Sequence, residues 1–236
     1  MGRLEGTPAQ VLEPPGLGSC NYDRTMSKGR SEQPEAAQVD LTRFKSVEDA
    51  VGQANPLLDE FKALAKKISL ANDGNITYLS MFLLSAISRA TGLHLAAVHA
   101  IETSNPHAAI PLIRSYADVV VTALYVRDHP RYVDAITSRR RDAKKKRRSI
   151  GALVTAVTPY APGIKIVYDE LSEGTHFGAV AMWASWTPGE GGKVTYTTYP
   201  TWRDPVKNPL VITAWLIELG DAFVQTVESM IAHYLN

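Results

Sequence analysis

From about residue 41 onward, apolar residues recur every three or four positions, the spacing of helices that bury one face. Ser46 stands where an N-cap belongs before VEDAVGQAN, with Glu48 and Asp49 in the first turn, and Pro56 restarts a helix to about Ala71. NDGN at 72–75 breaks the chain. The stretch from about Ile76 to Thr103 is apolar on nearly every side through Tyr78, Phe82, Leu84 and Ile87, which predicts a central helix that Gly92 can bend. Asn105 and Pro106 open a third buried helix ending near Pro130, with Pro111 in its early turns. A fourth is predicted from about Arg131 to Val157, and PYAPG at 159–163 closes it before the helix carrying YDELSEGTHFG. Only between Thr187 and Pro205 does the period change: a Gly-rich turn beside alternating Val194, Tyr196 and Thr198 reads as a short hairpin. Asn208 and Pro209 then begin a closing helix to about Tyr234. The predicted class is all-α, a bundle of about six helices with one short β-hairpin before the last helix, in a single helical domain over 41–236.

Residues 1–40 break the pattern. Pro8, Pro14, Pro15 and Pro34 with five glycines offer too little apolar surface to offset the entropy of ordering, so a disordered N-terminal arm is predicted. Met26 offers a second start besides Met1. No apolar block follows the first residues, so a secretory signal is not expected. The apolar runs at 78–88 and 209–220 are shorter than the roughly 18–20 residues that cross a bilayer, which favours core helices and no membrane partner. Their apolar faces also predict self-association as a homodimer.

Composition narrows the partners. With 45% hydrophobic and 21% charged residues the chain is globular, and a net charge of +1 gives no global pull toward nucleic acid or membrane. The single Cys20 can form no internal disulfide, so a cytoplasmic location is predicted. No cofactor is predicted. His94 and His99, five apart, point about 140° away from each other, and no zinc spacing is met. Trp183, Trp186, Trp202 and Trp215 read as core or hairpin packing, with a stacking role for Trp202 as the alternative.

Two polar stripes are the first candidate site. On the helix after PYAPG, Ile164, Val167 and Leu171 mark the apolar face, and Tyr168, Ser172 and His176 trace a second stripe at its margin. On the preceding buried helix, Arg114, Asp118 and Tyr125 fall together around Val121. Polar groups at a core margin need hydrogen-bond partners, so the two stripes are expected to meet. One reading is a satisfied polar seam that fixes helix register. The other is a pocket in which His176 acts as acid or base while Arg114 holds an anion. Ser172 and His176 at i and i+4 could pair as nucleophile and base, yet the glycine-bounded elbow and oxyanion donors of serine hydrolases are absent.

The second candidate is SRRRDAKKKRR at 138–148, which holds eight of the 25 cations and one of the 24 acids. The rest of the chain therefore carries six more acids than cations. A helix solvated by its own charge is one reading. The other is a phosphate-contacting patch for RNA, DNA or a nucleotide, built from Arg139, Arg140, Lys144, Lys145, Arg147 and Arg148. Few aromatics lie nearby in sequence, which favours backbone contact over base readout.

LIRSYADVVVTALYV, the basic stretch, YDELSEGTHFG and then GGKVTYTTYP resemble, over residues 76–232, an uncharacterised group of bacterial helical proteins with Arg-Ser early in a buried helix and a later Tyr-x3-Ser-x3-His. The resemblance picks out Arg114, Ser115, Tyr168, Ser172 and His176, with Asp118 where a Glu is commoner. Some proteins of this kind look like relatives of the HEPN bundles, which include metal-independent ribonucleases with Arg-x4-6-His on one helix. RATGLH, Arg89 to His94, matches that spacing but has Ala90 after the Arg. The resemblance implies nucleic-acid or nucleotide binding with a role in phage defence or toxin–antitoxin biology. For cleavage it implies His176 or His94 as base and Arg114 or Arg89 as charge stabiliser. The competing expectation is a non-catalytic interaction module whose seam is structural.

Overall fold

A computed structural model of the chain describes residues 39–71, 75–138, 141–176, 185–188 and 194–235. Residues 1–38, which hold most of the predicted arm and both candidate start methionines, lie outside the described residues. Val39 and Asp40 already belong to the body. Val39 packs on the core, and the Asp40 carboxylate accepts the Thr42 N–H at 2.9 Å to start a 3-10 turn over Leu41–Arg43.

The described residues form nine α-helices, seven of them eight residues or longer, and one pair of short strands. In chain order these are α1 (Val47–Ala54), α2 (Leu57–Leu70), α3 (Tyr78–Glu102), α4 (Pro106–Asp128), α5 (Tyr132–Thr137), α6 (Arg141–Lys144), α7 (Ile150–Val157), α8 (Pro162–Thr175), β1 (Trp186–Pro188), β2 (Val194–Tyr196) and α9 (Lys207–Tyr234). The strands pair antiparallel with Trp186 opposite Tyr196, so the all-α bundle with a small hairpin before its last helix stands. The single helix predicted over 131–157 does not form. Ser138 turns extended after α5, and Ser149, also extended, caps α7 by accepting the Ala152 N–H at 3.3 Å. Of the pieces over 131–157 only α7 reaches eight residues, so the seventh principal helix comes instead from α1 and α2 standing as separate helices on either side of Asn55 and Pro56.

Local chemistry sets the other ends. Ser46 Oγ accepts the Asp49 N–H at 3.2 Å, Thr77 Oγ1 the Ser80 N–H at 3.0 Å, and Asn105 Oδ1 the Ala108 N–H at 3.2 Å. Between α3 and α4, Asn105 N–H reaches back to the Ala100 carbonyl and Ser104 N–H to the Ile101 carbonyl, the paired bonds of a Schellman ending. Ser104 occupies its left-handed position at φ 53°, where glycine is the usual residue. Because Asn105 also caps α4, two long helices reverse direction within three residues. At the last helix, Asp204 rather than Asn208 makes the start: its carboxylate accepts the Val206 and Lys207 N–H groups at 3.0 and 2.8 Å.

α4 is the axis of the bundle, packed by α3, α7, α8 and α9. One hydrophobic cluster extends from Phe44 to Leu235, with Tyr116, Phe61 and Phe223 among its largest fully buried side chains. Gly220 on α9 lets Leu57 of α2 come close: a Cβ there would stand 2.5 Å from Leu57 Cδ1. α3, α4 and α9 are each long and apolar enough to cross a membrane by length and composition, which revises the reading that the apolar runs fall short of one. In this fold the same helices build the core, and the most apolar windows of α4 and α9 are 61% and 67% buried within it.

Candidate functional site

The two polar stripes meet. Arg114 and Asp118 lie one turn apart on α4, Tyr168 and Ser172 one turn apart on α8, and α4 packs on α8 along those turns. The Arg114 guanidinium spends every nitrogen there. Nε donates to Ser172 Oγ at 2.8 Å, one terminal nitrogen to the Asp118 carboxylate and the other to the Tyr168 hydroxyl. The guanidinium carbon also sits 3.6 Å from the Tyr168 ring centroid. Ser172 in turn donates its proton to the Tyr168 carbonyl at 2.7 Å. That proton goes to a backbone carbonyl and not to a base, so the bonds Ser172 makes here do not activate it as a nucleophile.

Arg114 and Asp118 side chains are 17% and 32% exposed, so the pair sits at the core's edge. Burial raises the Asp118 carboxyl above the ordinary range, against the opposing pull of Arg114 and of Arg89 on α3. Ser115, next to Arg114 on α4, is half-buried.

His176 is not in the seam. α8 ends at Thr175, and His176 follows as an exposed, extended residue whose N–H bonds the Ser172 carbonyl. The predicted stripe assumed one more residue of helix than the chain makes, so guanidinium and imidazole do not share a secluded spot. Tyr125, further along α4, stacks on His129 and makes no hydrogen bond to Arg114, Asp118, Tyr168 or Ser172.

The other matched pair, Arg89 and His94, does not share a face. Arg89 is exposed, whereas His94 is 0% exposed, edge-on to Phe61 and Tyr116. His94 Nε2 lies 3.1 Å from the Ala54 carbonyl, which can only accept, so Nε2 carries the proton and Nδ1 keeps a buried lone pair without a partner. Desolvation lowers its pKa to about 4. A base with no route to solvent cannot meet a polymer substrate. Trp202, only 7% exposed, is likewise core, which removes the stacking alternative for it; Trp186 lies in the hairpin, Trp215 packs on the core, and Trp183 falls outside the described residues.

The basic run has two roles. Arg139 and Arg140 lie outside the described residues. Arg147 turns back to α5 and donates to the carbonyls of Ala135, Ile136 and Ser138 at 2.8, 2.8 and 2.9 Å, closing that helix's C-terminal end. Arg148 anchors the same turn, its N–H on the Tyr132 hydroxyl at 2.8 Å and its guanidinium carbon 5.3 Å from the Tyr125 centroid. Lys144, the last residue of α6, and Lys145 and Lys146 after it stand exposed before Arg147, and no ion pair joins them to a carboxylate among the described residues.

Aromatics gather at the end of α4, which this turn touches through Tyr125 and Tyr132. Tyr125 stacks on His129 at 4.2 Å with rings 4° from parallel, and Tyr132 meets Tyr125 edge-on at 4.9 Å. Two residues along from Tyr125, Arg127 lies 5.1 Å over the Tyr160 ring and pairs with Asp128, while the Tyr234 hydroxyl ties α9 to the Arg127 carbonyl at 2.9 Å. The Tyr125–His129 pair was legible as one helical turn; the approach of Tyr160 and Tyr234 carries no sequence signal. The expectation of few neighbouring aromatics is thus corrected by tertiary structure.

No family model, no curated protein and no solved structure matches the chain. Among the described residues no group of three or more His, Cys, Asp or Glu is placed to hold a metal ion. A cleft of about 400 Å³ lies between α1, the end of α3 and the start of α9, lined by Glu48, Asn55, Glu102 and Ser104 among others, and contains none of the candidate site residues.

Proposed function

We propose that the chain is a cytosolic, non-catalytic helical module that binds RNA or another phosphate-bearing polymer at the end of the bundle formed by α5, α6 and the start of α7. One observation carries this reading: three consecutive exposed lysines, with no ion pair to a carboxylate among the described residues, stand on a segment that Arg147 holds to the body. Fixed, unneutralised cations favour phosphate contact, because binding releases counterions at little cost in ordering the protein. The seam takes the structural role, since its polar groups satisfy one another. Descent from HEPN-like bundles and a place in phage defence or toxin–antitoxin biology belong to the same proposal, resting on the sequence resemblance alone.

The test is RNA affinity across a salt series, with Lys144, Lys145 and Lys146 changed together to Gln. Wild type should bind more weakly as salt rises, and the variant should lose about 2 from the slope of log affinity against log salt. An unchanged slope would remove the lysines from any interface. Incubating labelled RNA with the protein checks the absence of catalysis: cleavage by wild type but not by His176→Ala would replace the binding-only reading.

A further inference from the structure

The basic turn attracts phosphate, but phosphate is common to single and double strands. Two rings beside it distinguish them. Tyr160, at the turn between α7 and α8, is 43% exposed yet fixed: Arg127 covers one face at 5.1 Å, and its hydroxyl interacts with the Asp128 carboxylate. Arg127 is itself held, donating from Nε and Nη2 to the two Asp128 oxygens at 2.8 and 3.1 Å. His129 is the second ring. It is exposed, lies flat on buried Tyr125, and its Nδ1 is 3.2 Å from the Tyr125 carbonyl. Tyr125 is common to both sides, stacked with His129, close to Tyr160 and capped by Arg148 from the basic turn.

An exposed aromatic ring normally loses side-chain freedom when a ligand stacks on it. Here much of that freedom is already lost, because one face of each ring is packed, Tyr160 under Arg127 and His129 on Tyr125, while both residues stay exposed and Arg148 of the basic turn caps the same Tyr125. Nucleobases stack on such faces whatever their identity, but only when they are unpaired, because paired bases turn their faces to one another. We infer that Tyr160 and His129 are base-stacking platforms, so that the basic end recognises single-stranded nucleic acid, RNA first, and discriminates against a duplex of equal charge. The inference rests on the phosphate-binding reading and adds the class of strand to it.

The experiment uses the full-length chain, a labelled uridine homopolymer and an RNA duplex of matched length, read by fluorescence anisotropy. Wild type should bind the single strand more tightly. Tyr160→Leu and His129→Leu, which keep an apolar body but lose the ring, should each weaken single-strand binding about tenfold and leave duplex binding unchanged. Tyr160→Phe should retain the preference. A Trp placed by Tyr160→Trp, whose extra emission over wild type should be quenched on saturation with the single strand, reads stacking directly even where a leucine variant folds poorly. Equal affinity for both strands, or equal losses on both, would overturn the stacking assignment and leave phosphate binding standing. Failure of wild type to bind either strand would overturn both.

Discussion

The seam between α4 and α8 and the basic turn after α6 contain similar residues and do opposite things with them. In the seam, Arg114 meets a carboxylate, a phenol and a hydroxyl, and each partner is itself supplied by a neighbouring helix turn. In the basic turn one arginine is consumed internally, and three lysines are left exposed with no ion pair to a carboxylate among the described residues. Polar groups that answer one another inside a fold determine how helices meet, whereas polar groups fixed in place and left unanswered are available to a ligand. A charged residue near a core therefore says little about function until its hydrogen bonds are counted.

The largest effect should come from breaking the closed region. Arg114→Met strands the Asp118 carboxylate and removes the donors to Tyr168 and Ser172, which should cost about 3 kcal/mol in denaturant unfolding. Changing Asp118→Leu as well should recover much of that, because no partly buried charge is then left unpaired. RNA affinity of the folded fraction should not move. The lysine-to-Gln variant should behave in reverse, weakening binding with stability within about 0.5 kcal/mol of wild type. A seam variant that loses RNA affinity while still folded would erase the distinction between the regions.

His94 sharpens the contrast from the core side. Its folded pKa of about 4 lies below the unfolded value, so the unfolded chain binds the extra proton first as pH falls. The stability associated with neutral His94 is complete above the unfolded value near 6.5 and is lost progressively as pH drops toward 4. Between pH 7 and pH 5 the loss should be roughly 2 kcal/mol. His94→Gln, which can keep a donor toward the Ala54 carbonyl, should flatten that slope in unfolding curves taken at each pH. An unchanged slope would mean that this imidazole titrates freely and is not sealed in the core.

Arg147 is the one residue that belongs to both kinds of region, and its removal should have a smaller, mixed effect. Arg147→Met frees the α5 carbonyls at the exposed end of a short helix, at a cost of about 1 kcal/mol. Hydrogen exchange should accelerate over 132–149, and RNA affinity should fall about threefold, since the lysines would then have to be ordered on binding. Normal affinity with accelerated exchange would show that the turn's rigidity plays no part in recognition.

What could be read from the sequence follows from how far each interaction reaches. Caps such as Ser46 and Asn105 act on N–H groups three residues away, so helix starts were legible there. Two pairs of polar residues at i and i+4 were enough to bring Arg114 and Asp118 against Tyr168 and Ser172, because each stripe bordered an apolar face. Extending the second stripe to His176 failed for a local reason, the end of α8 one residue earlier, which leaves that side chain in extended backbone. The break of the helix expected over 131–157 depends on Arg147 reaching back to carbonyls nine to twelve residues away, and periodicity does not register such a contact. The aromatic end lies further from local reach still: the Tyr234 hydroxyl bonds a carbonyl 107 residues earlier.

The smallest predicted effect is a gain. Ser104 holds a left-handed conformation that an L side chain adopts at a cost, and it does so because the Schellman bonds and the immediate start of α4 require it. Glycine reaches the same conformation without the Cβ penalty, though it also makes the unfolded chain more flexible. Ser104→Gly should therefore raise stability by about 0.5 kcal/mol net, seen as a higher denaturation midpoint with an unchanged dependence on denaturant. The residue touches neither the seam nor the basic turn, so affinity for RNA should stay at the wild-type value. If affinity rose in step with this gain, binding would be tracking global stability, and the losses in the other variants would have to be reinterpreted in the same way.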